Sequence, residues 1–391
     1  MPDAPGRPGK TRPPDSTTSP TPGPASNGPV SNAPASSNPE GGSRPRPNGH
    51  KRAKPEVYRR RRLYVAVVAA VVLAVFVGAV AWYQSQMGGS GGASVVVTVT
   101  PGSSMGTITT ALVRQHVVDS SLAFRVYLTL HGTPTVQPGA YLLRRDESFG
   151  EVRATLAAGP NVSSVTVLPG FTISEVATRV GQISGHDPAH FLSLANSGTL
   201  RSPYEPAGST NLDGLVGTGT YLVVPGESDE TLLGDMIDRF NTLADSVGLT
   251  TQAAGLGETP YQAITVASIV QKEGVYQKNL GKVARVIYNR LSHGTPLQMD
   301  STVLYSEHRD GGRVTSADLA LNTPYNTYLH TGLTPTPICF PNEASLQAAL
   351  APTPGPWLYF VVVSRDGTEA FSSSFAGQQA NERLAQSRGL G

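Results

Sequence analysis

An uncharged stretch of 21 residues, residues 63–83, is long enough for a membrane-spanning helix, and the arginines before it favour this over a buried core helix. A helix of that length spans the roughly 30 Å hydrocarbon core of a bilayer. Four consecutive arginines precede it, which favours a cytoplasmic N-terminus. A signal peptide would have a shorter apolar region nearer to residue 1. We therefore predict a single-pass membrane protein whose C-terminal part is extracytoplasmic, with Trp82 and Tyr83 at the far interface.

Charge is distributed unevenly along the chain. Residues 1–62 contain 12 Lys/Arg and 4 Asp/Glu, a net charge of +8, whereas the remainder contains 18 and 24, a net charge of −6. A negative folded part is unsuited to neutralising phosphates, so we expect no nucleic-acid partner. Residues 1–62 are predicted to form a disordered basic cytoplasmic tail, and residues 84–94, which include five Gly and Ser residues in a row, a flexible linker.

Two later segments share one pattern, a short β-branched strand, a Pro-Gly turn and a helix. The first starts at VVVTVTPG (residues 95–102) and the second at SVTVLPG (residues 164–170). In the second, Thr172 can cap a helix. The apolar positions are Ile108, Leu112 and Val113 in the first helix, and Ile173, Val176, Val180 and Ile183 in the second. The pattern indicates small α/β modules that hold a ligand, or a generic α/β spacer.

A helical pattern over residues 264–274 places one carboxyl group, that of Glu273, at the end of an apolar face. Glu273 follows Val270 by three residues and Ile269 by four, so it projects from the face they define, whereas Lys272 points elsewhere. Partial desolvation raises the pKa of a carboxyl group, which suits a general acid. A solvated residue at a helix end fits the same pattern.

Further polar residues follow this helix. A second helix is predicted over residues 283–291, with a stop at Ser292-His293-Gly294. A short extended or helical stretch then contains Gln298, Asp300, Thr302 and Tyr305. The loop NTPYNTY (residues 322–328) supplies Tyr and Asn side chains of the kind that stack on sugars and bind them by hydrogen bonds.

Other candidate motifs do not predict sites. His186 and His190 have a zinc-like spacing, but Pro188 lies between them and no further ligand cluster follows. Asp187 is better explained as a helix cap. The lone Cys339 is expected to be a packed small residue. We expect no metal and no cofactor.

Four ordered blocks resemble the MltG/YceG-like family of endolytic murein transglycosylases. They are ASIVQKEG (residues 267–274), VIYNRLSHGTPLQMDSTVLY (286–305), NTPYNTYLHTGLTPTPI (322–338) and WLYFVVV (357–363), which an Arg-Asp-Gly turn follows. The resemblance implies an α+β fold. A single transmembrane helix (63–83) would be followed by LysM-like modules at residues 95–160 and 161–210 and a YceG-like catalytic domain at residues 211–391.

The resemblance also implies a reaction in which the nucleophile is a hydroxyl group of the substrate itself. In this family the β-1,4 bond between N-acetylmuramic acid and N-acetylglucosamine of nascent glycan strands is cleaved, and the muramyl 6-hydroxyl displaces the leaving sugar to give a 1,6-anhydro end. One carboxyl group then suffices as acid and base. The implied partners are peptidoglycan glycan strands, the cytoplasmic membrane, and penicillin-binding proteins or other cell-wall synthases.

The resemblance further implies roles for particular residues. Glu273 matches the second acid of a Val-Glu-Lys-Glu block, which here reads Val270-Gln271-Lys272-Glu273. The positions that match cleft-shaping or glycan-contacting residues are Asp213, Asn289, Arg290, Gln298, Asp300, Thr302, Tyr325, Asn326 and Tyr328. Structural roles are equally open for most of them, for example a buried Arg290–Asp300 pair or a turn capped by Asn326.

The sequence departs from the family pattern at several points. The family's Leu-Glu-Gly-Tyr-Leu-Phe-Pro-Asp-Thr-Tyr block corresponds to residues 212–221 here, where Asp213 is an acid but the aromatic, Pro and Asp residues of the family's Tyr-Leu-Phe-Pro-Asp segment are absent. The family's Asp-Pro-Thr turn reads Asp300-Ser301-Thr302. Gly-x-His-x-Phe reads Gly367-Thr368-Glu369-Ala370-Phe371, and the following Glu-His-Asn is Gly377-Gln378-Gln379. Two other functions stay open. One is a peptidoglycan-binding scaffold without activity. The other is a hydrolase that uses water, with Asp213 or Asp300 as second carboxylate.

Overall fold

The computed structural model describes residues 55–274 and 276–390. Its first element is helix α1 (Pro55–Met87), which contains the predicted span and is long and apolar enough to cross a membrane. Residues 55–62, predicted as part of the disordered tail, are instead the first turns of this helix. Arginine is a good helix former and proline is tolerated at the first helical position, so the helix can start before the apolar stretch. The rest of the predicted tail, residues 1–54, lies outside the described residues.

The glycine-rich segment after α1 is bound to the following domain, so the predicted flexible linker is wrong. The N–H groups of Gly91 and Gly92 donate to the backbone oxygens of Asp146 (2.9 Å) and Arg145 (2.7 Å). A Cβ on Gly89 would lie 2.3 Å from the Asp146 oxygen, so this close approach requires glycine. Composition predicted flexibility here because it contains no information about a binding partner more than 50 residues away in the sequence.

The first folded unit, here called the first βααβ unit, follows at once. It consists of β1 (Ser94–Val99), α2 (Met105–Arg114), α3 (Ser121–His131) and β2 (Gly139–Arg144), followed by α4 (Phe149–Ala158). β1 and β2 pair antiparallel, with Val97 opposite Tyr141. Ile108 and Leu112 are buried as the sequence predicted, and they join Phe124 in a core of this unit's own.

The second βααβ unit repeats this order. It contains β3 (Ser163–Val167), α5 (Ile173–Val180), α6 (Pro188–Ala195) and β4 (Gly219–Val223), and β3 pairs antiparallel with β4. Thr172 caps α5 as predicted, in a capping box with Glu175, and Asp187 caps α6. Because β4 belongs to this sheet, the unit extends past the boundary that the sequence suggested at residue 210.

The remaining chain is mainly helical and shares one core with the second βααβ unit. Its elements are α7 (Asp229–Ser246), α8 (Leu249–Gly255), α9 (Pro260–Glu273), a 3-10 turn (Gln277–Asn279), α10 (Leu280–Ser292), α11 (Asp300–Ser306), α12 (Ser316–Leu319), α13 (Glu343–Leu350), β5 (Tyr359–Val362), β6 (Glu369–Ser372) and α14 (Phe375–Ser387). The Arg-Asp-Gly turn lies in the hairpin that β5 and β6 form, with Gly367 at φ +85°.

Helix α9 lies at the centre of this core. All eight residues from 263 to 270 are buried, so the prediction of a helix with a single apolar face is wrong. The sequence ITVASIV contains only small and apolar residues and two hydroxyls, and those hydroxyls donate to the backbone within the helix. This composition allows neighbours to pack on every side. Glu273 is the last residue of α9, at the point where the helix leaves the core.

Candidate active site

A cavity of about 520 Å³ lies at the end of α9. One wall is the N-terminal turn of α5, from Thr172 to Glu175, and the other walls are the end of α9, helix α11 and residues 308–311. The second βααβ unit therefore supplies part of the cavity. Glu273, Asp300 and Asp213 all line it, together with apolar side chains such as Ile173 and Leu304.

Glu273 is held by the start of α11. Its Oε1 accepts hydrogen bonds from the hydroxyl of Ser301 (2.6 Å) and from the Ser301 N–H (3.3 Å). Among the described residues no hydrogen bond reaches Oε2, so this oxygen is free to meet a ligand in the cavity.

Burial raises the pKa of the Glu273 carboxyl group. The two hydrogen bonds from Ser301 stabilise the ionised form and oppose this increase, whereas the nearby charges of Asp300 and Glu369 add to it. The partial negative charge at the C-terminal end of α9 also disfavours an anion there. A carboxyl group in this environment keeps its proton to higher pH than an ordinary glutamate does.

Asp300 and Tyr328 form a pair beside Glu273. The Tyr328 hydroxyl donates to Asp300 Oδ1 at 2.6 Å, and burial raises the pKa of Tyr328. The open prediction of a buried Arg290–Asp300 pair is wrong, because Asp300 is exposed. Arg290 instead donates to the backbone oxygens of Leu358 and Leu297.

Asp213 and Tyr305 form a second pair in the cavity wall. Asp213 is buried; its Oδ2 accepts from the Tyr305 hydroxyl (2.6 Å) and its Oδ1 from the Ile173 N–H (2.7 Å), at the start of α5. Burial raises the pKa of Asp213, and these two bonds oppose the increase. The geometry makes Asp213 an anchor between α5 and α11.

Lys272 also lines the cavity, so the expectation that it points away from Glu273 is wrong. Its Nζ donates to Asp310 Oδ1 at 2.6 Å. Both side chains reach the cavity because the helix has left the core at this turn and the cavity extends around its end.

Several residues that the sequence assigned to glycan contact instead hold the scaffold. Asn289 donates to the backbone oxygens of Gly355 (3.0 Å) and Trp357 (2.8 Å). Asn326 is fully buried and bonds backbone groups of Leu319, Leu321 and Tyr328, which confirms the turn cap. Thr302 is fully buried and donates to Met299 O.

Two further predicted residues lie outside the cavity wall. Gln298 is exposed and has φ +51°. Its backbone N–H donates to the backbone oxygen of Thr327 (2.9 Å), in the loop of residues 322–328. The Tyr325 hydroxyl bonds Thr336, and its ring lies 5.0 Å from that of Tyr305. Tyr325 thus packs against Tyr305, which lines the cavity.

Gln271, which replaces the first acid of the family block, faces away from the cavity. Its Oε1 accepts from the Asn342 N–H (3.0 Å) and from the Ser345 hydroxyl (2.9 Å), and thereby holds the start of α13. An amide oxygen and a carboxylate oxygen serve this role equally well.

Ser301 is the residue that sequence reasoning missed. It stands where the family pattern has proline, and proline could supply neither the O–H nor the N–H donor that Glu273 accepts here. The signal was present in the sequence as the change from Asp-Pro-Thr to Asp-Ser-Thr.

The two histidines with zinc-like spacing share a carboxylate. Nδ1 of His186 lies 2.6 Å from Asp229 Oδ1, and Nδ1 of His190 lies 2.5 Å from Asp229 Oδ2. Across residues 55–274 and 276–390, no group of three or more His, Cys, Asp or Glu side chains is arranged to hold a metal ion. Cys339 is fully buried and donates to Ser268 O, as expected of a packed residue.

A model of a known protein family matches most of this chain. The model of the YceG-like family covers residues 97–384, and the chain belongs to that family. A crystal structure of a yceG-like protein from Listeria monocytogenes shares the fold with a TM-score of 0.52 and 22% identity, over 73% of this chain and 98% of that one.

Two bacterial relatives have a functional name. A Bacillus subtilis (strain 168) protein named endolytic murein transglycosylase is 27% identical over 312 residues, which cover 75% of this chain and 86% of the relative. A protein of the same name from Streptococcus pneumoniae serotype 2 (strain D39) is 26% identical over 311 residues, 72% of this chain and 56% of that relative.

Proposed function

We propose that this chain is an endolytic murein transglycosylase, which cleaves the bond between N-acetylmuramic acid and N-acetylglucosamine within peptidoglycan strands. The observation that carries the proposal is Glu273, a carboxyl group of raised pKa in the wall of a 520 Å³ cavity, whose Oε2 accepts no hydrogen bond from residues 55–274 and 276–390. The relatives named endolytic murein transglycosylase support the same reaction.

In the proposed reaction Glu273 first donates a proton and then accepts another. Its protonated form donates the proton to the glycosidic oxygen as the bond from that oxygen to muramyl C1 breaks. The muramyl 6-hydroxyl forms the new bond to C1, and its proton returns to the Glu273 carboxylate. The product is a 1,6-anhydro end and the enzyme is regenerated. The Ser301 bonds to Oε1 leave Oε2 to make both transfers.

The neighbouring groups have supporting roles in this proposal. Asp300, which lines the cavity, and Tyr328, which donates to it, are suited to bind sugar hydroxyls. Arg290 fixes the residue before β5 by a hydrogen bond to the backbone oxygen of Leu358. Asn289, Thr302, Asn326, Gln298 and Tyr325 contribute through the scaffold, and Asp213 fixes α5 against α11.

We propose the following organisation around this site. The two βααβ units act as LysM-like glycan-binding modules, the first over residues 95–160 and the second from residue 161 through β4, and the remaining chain is the catalytic domain. Helix α1 anchors the protein in the cell membrane with its arginines in the cytoplasm, since basic residues are retained there. Cell-wall synthases are the expected protein partners.

Product chemistry tests the proposal. The full chain in detergent is incubated with purified glycan strands, and the products are identified by mass spectrometry. We expect 1,6-anhydro-muramyl ends. Reducing ends would instead indicate a hydrolase that uses water, and in that case Asp213→Asn or Asp300→Asn should abolish them. Binding of the strands without cleavage would indicate a scaffold protein.

Replacing Ser301 by proline, the residue of the family pattern, is expected to shift the activity profile to higher pH. The lost hydrogen bonds stabilise the ionised carboxylate, so their removal raises the pKa of Glu273. Since Glu273 must be protonated to start the reaction, activity then persists to higher pH on the alkaline side. The measurement is the pH dependence of kcat/KM from about pH 5 to about pH 10, which reports the pKa of the essential acid in the free enzyme.

Ser301→Ala is the matched variant for this experiment. It loses only the hydroxyl bond and keeps the N–H donor, so its shift should be smaller than that of Ser301→Pro. A uniform loss of activity at every pH, with no movement of the alkaline limb, would show that Ser301 serves only the structure of α11.

A further inference from the structure

Helix α3 carries an apolar stripe on its exposed face. Leu122, Val126 and Leu130 follow each other at intervals of four residues, and their exposed fractions are 64%, 41% and 68%. The opposite face is packed, with Phe124 and Leu128 buried in the core of the first βααβ unit. Single exposed leucines are common, but three aligned on one face indicate a contact surface.

The folded unit that carries this stripe also packs against the end of α1. Tyr83 and Met87, in the last turns of α1, pack against the same core that Phe124 fills, as does Tyr127 on α3. The Ser90 hydroxyl donates to Asp146 Oδ2 at 2.5 Å, so the segment between α1 and β1 is held against the first βααβ unit. The first βααβ unit is therefore fixed directly beside the end of the membrane-length helix.

The basic side chains of α3 suit contact with lipid phosphate groups. Its sequence, SLAFRVYLTLH, contains Arg125 and His131 and no carboxylate. A helix with an apolar face flanked by basic side chains is typical of segments that lie in the membrane interface. Arg125 is exposed and can reach phosphate groups while the leucines contact the acyl boundary. Trp82 of α1, 47% exposed, suits the same interfacial depth.

We infer that α3 rests on the surface of the bilayer that α1 crosses, with Leu122, Val126 and Leu130 inserted at the level of the headgroups. This inference rests on the proposed membrane anchoring by α1. The first βααβ unit then has two attachments to the membrane, one covalent and one by surface contact, and together they fix its orientation.

Single nitroxide labels on the full chain, reconstituted in vesicles of phosphatidylcholine and phosphatidylglycerol, test this contact. The only native cysteine, Cys339, is fully buried, so the unsubstituted chain provides the background. Labels at Leu122→Cys, Val126→Cys and Leu130→Cys should collide severalfold more with oxygen, relative to a water-soluble nickel complex, than a label at the exposed Leu384→Cys. A label at Leu73→Cys reports whether α1 is in the bilayer.

Each outcome separates the two proposals. Lipid-like accessibility at residues 73, 122, 126 and 130 supports both. Lipid-like accessibility at residue 73 with water-like values on α3 overturns the surface contact and leaves the anchoring intact. Water-like values at residue 73 overturn the anchoring itself. Low accessibility to both reagents on α3 would mean that a protein, such as a second copy, covers the stripe, and this also overturns the inference.

Discussion

The Glu273→Gln protein should produce 1,6-anhydro ends about 10²–10⁴ times more slowly than the native protein, which is the usual contribution of a general acid–base residue. Glutamine has the size of glutamate, and its amide oxygen can still accept both hydrogen bonds from Ser301. It can neither donate a proton to the glycosidic oxygen nor take one from the muramyl hydroxyl. The loss should appear in kcat, with strand binding retained.

Gln271→Glu is the control for this experiment. It places a carboxyl group two residues earlier on the same helix, where the native amide oxygen binds Asn342 and Ser345. A carboxylate accepts the same bonds, so activity should change little. Full activity of Glu273→Gln would show that the acid of the reaction is another group, and Asp300 would be the first to replace.

The Asp213→Ala protein should lose about 2–4 kcal/mol in its free energy of unfolding, because two buried donors lose their acceptor. The Tyr305 hydroxyl and the Ile173 N–H both bind this carboxylate. Alanine also leaves a small cavity between α5 and α11, which adds to the cost. Urea unfolding followed by tryptophan fluorescence measures the change.

Asp213→Asn separates this structural role from a chemical one. Asparagine can accept from Ile173 through its oxygen and donate to Tyr305 through its amide, so stability should remain within about 1 kcal/mol of the native value. We expect its anhydro-product activity to be kept as well. Loss of activity without loss of stability would make Asp213 a second catalytic carboxyl group and support the hydrolase alternative.

Sequence reasoning predicted the local elements well because their signals are local. The β1 and β3 strands, the Thr172 cap of α5 and the position of Glu273 at the end of a helix all depend on residues a few positions apart. The resemblance of the ordered blocks to the family then led to the proposal of Glu273 as the acid, and this role stays a prediction.

The roles of the polar residues were less predictable. Asn289 matches a family position, but its partners Gly355 and Trp357 are more than 60 residues away, and no pattern around Asn289 distinguishes a backbone ligand from a sugar ligand. The bound glycine-rich segment after α1 was missed for the same reason. Ser301 differs, since its departure from the family pattern was visible but had no meaning until its distance to Glu273 was known.

The burial of residues 263–270 in α9 has a consequence for adaptation. Glu273 has no loop of its own to move on, so any change in volume among residues 263–270 displaces the carboxyl group together with the helix. A misplacement of about 1 Å can cost two orders of magnitude in rate. We therefore expect variation in ligand preference at cavity-lining residues outside this buried segment, such as residues 308–311.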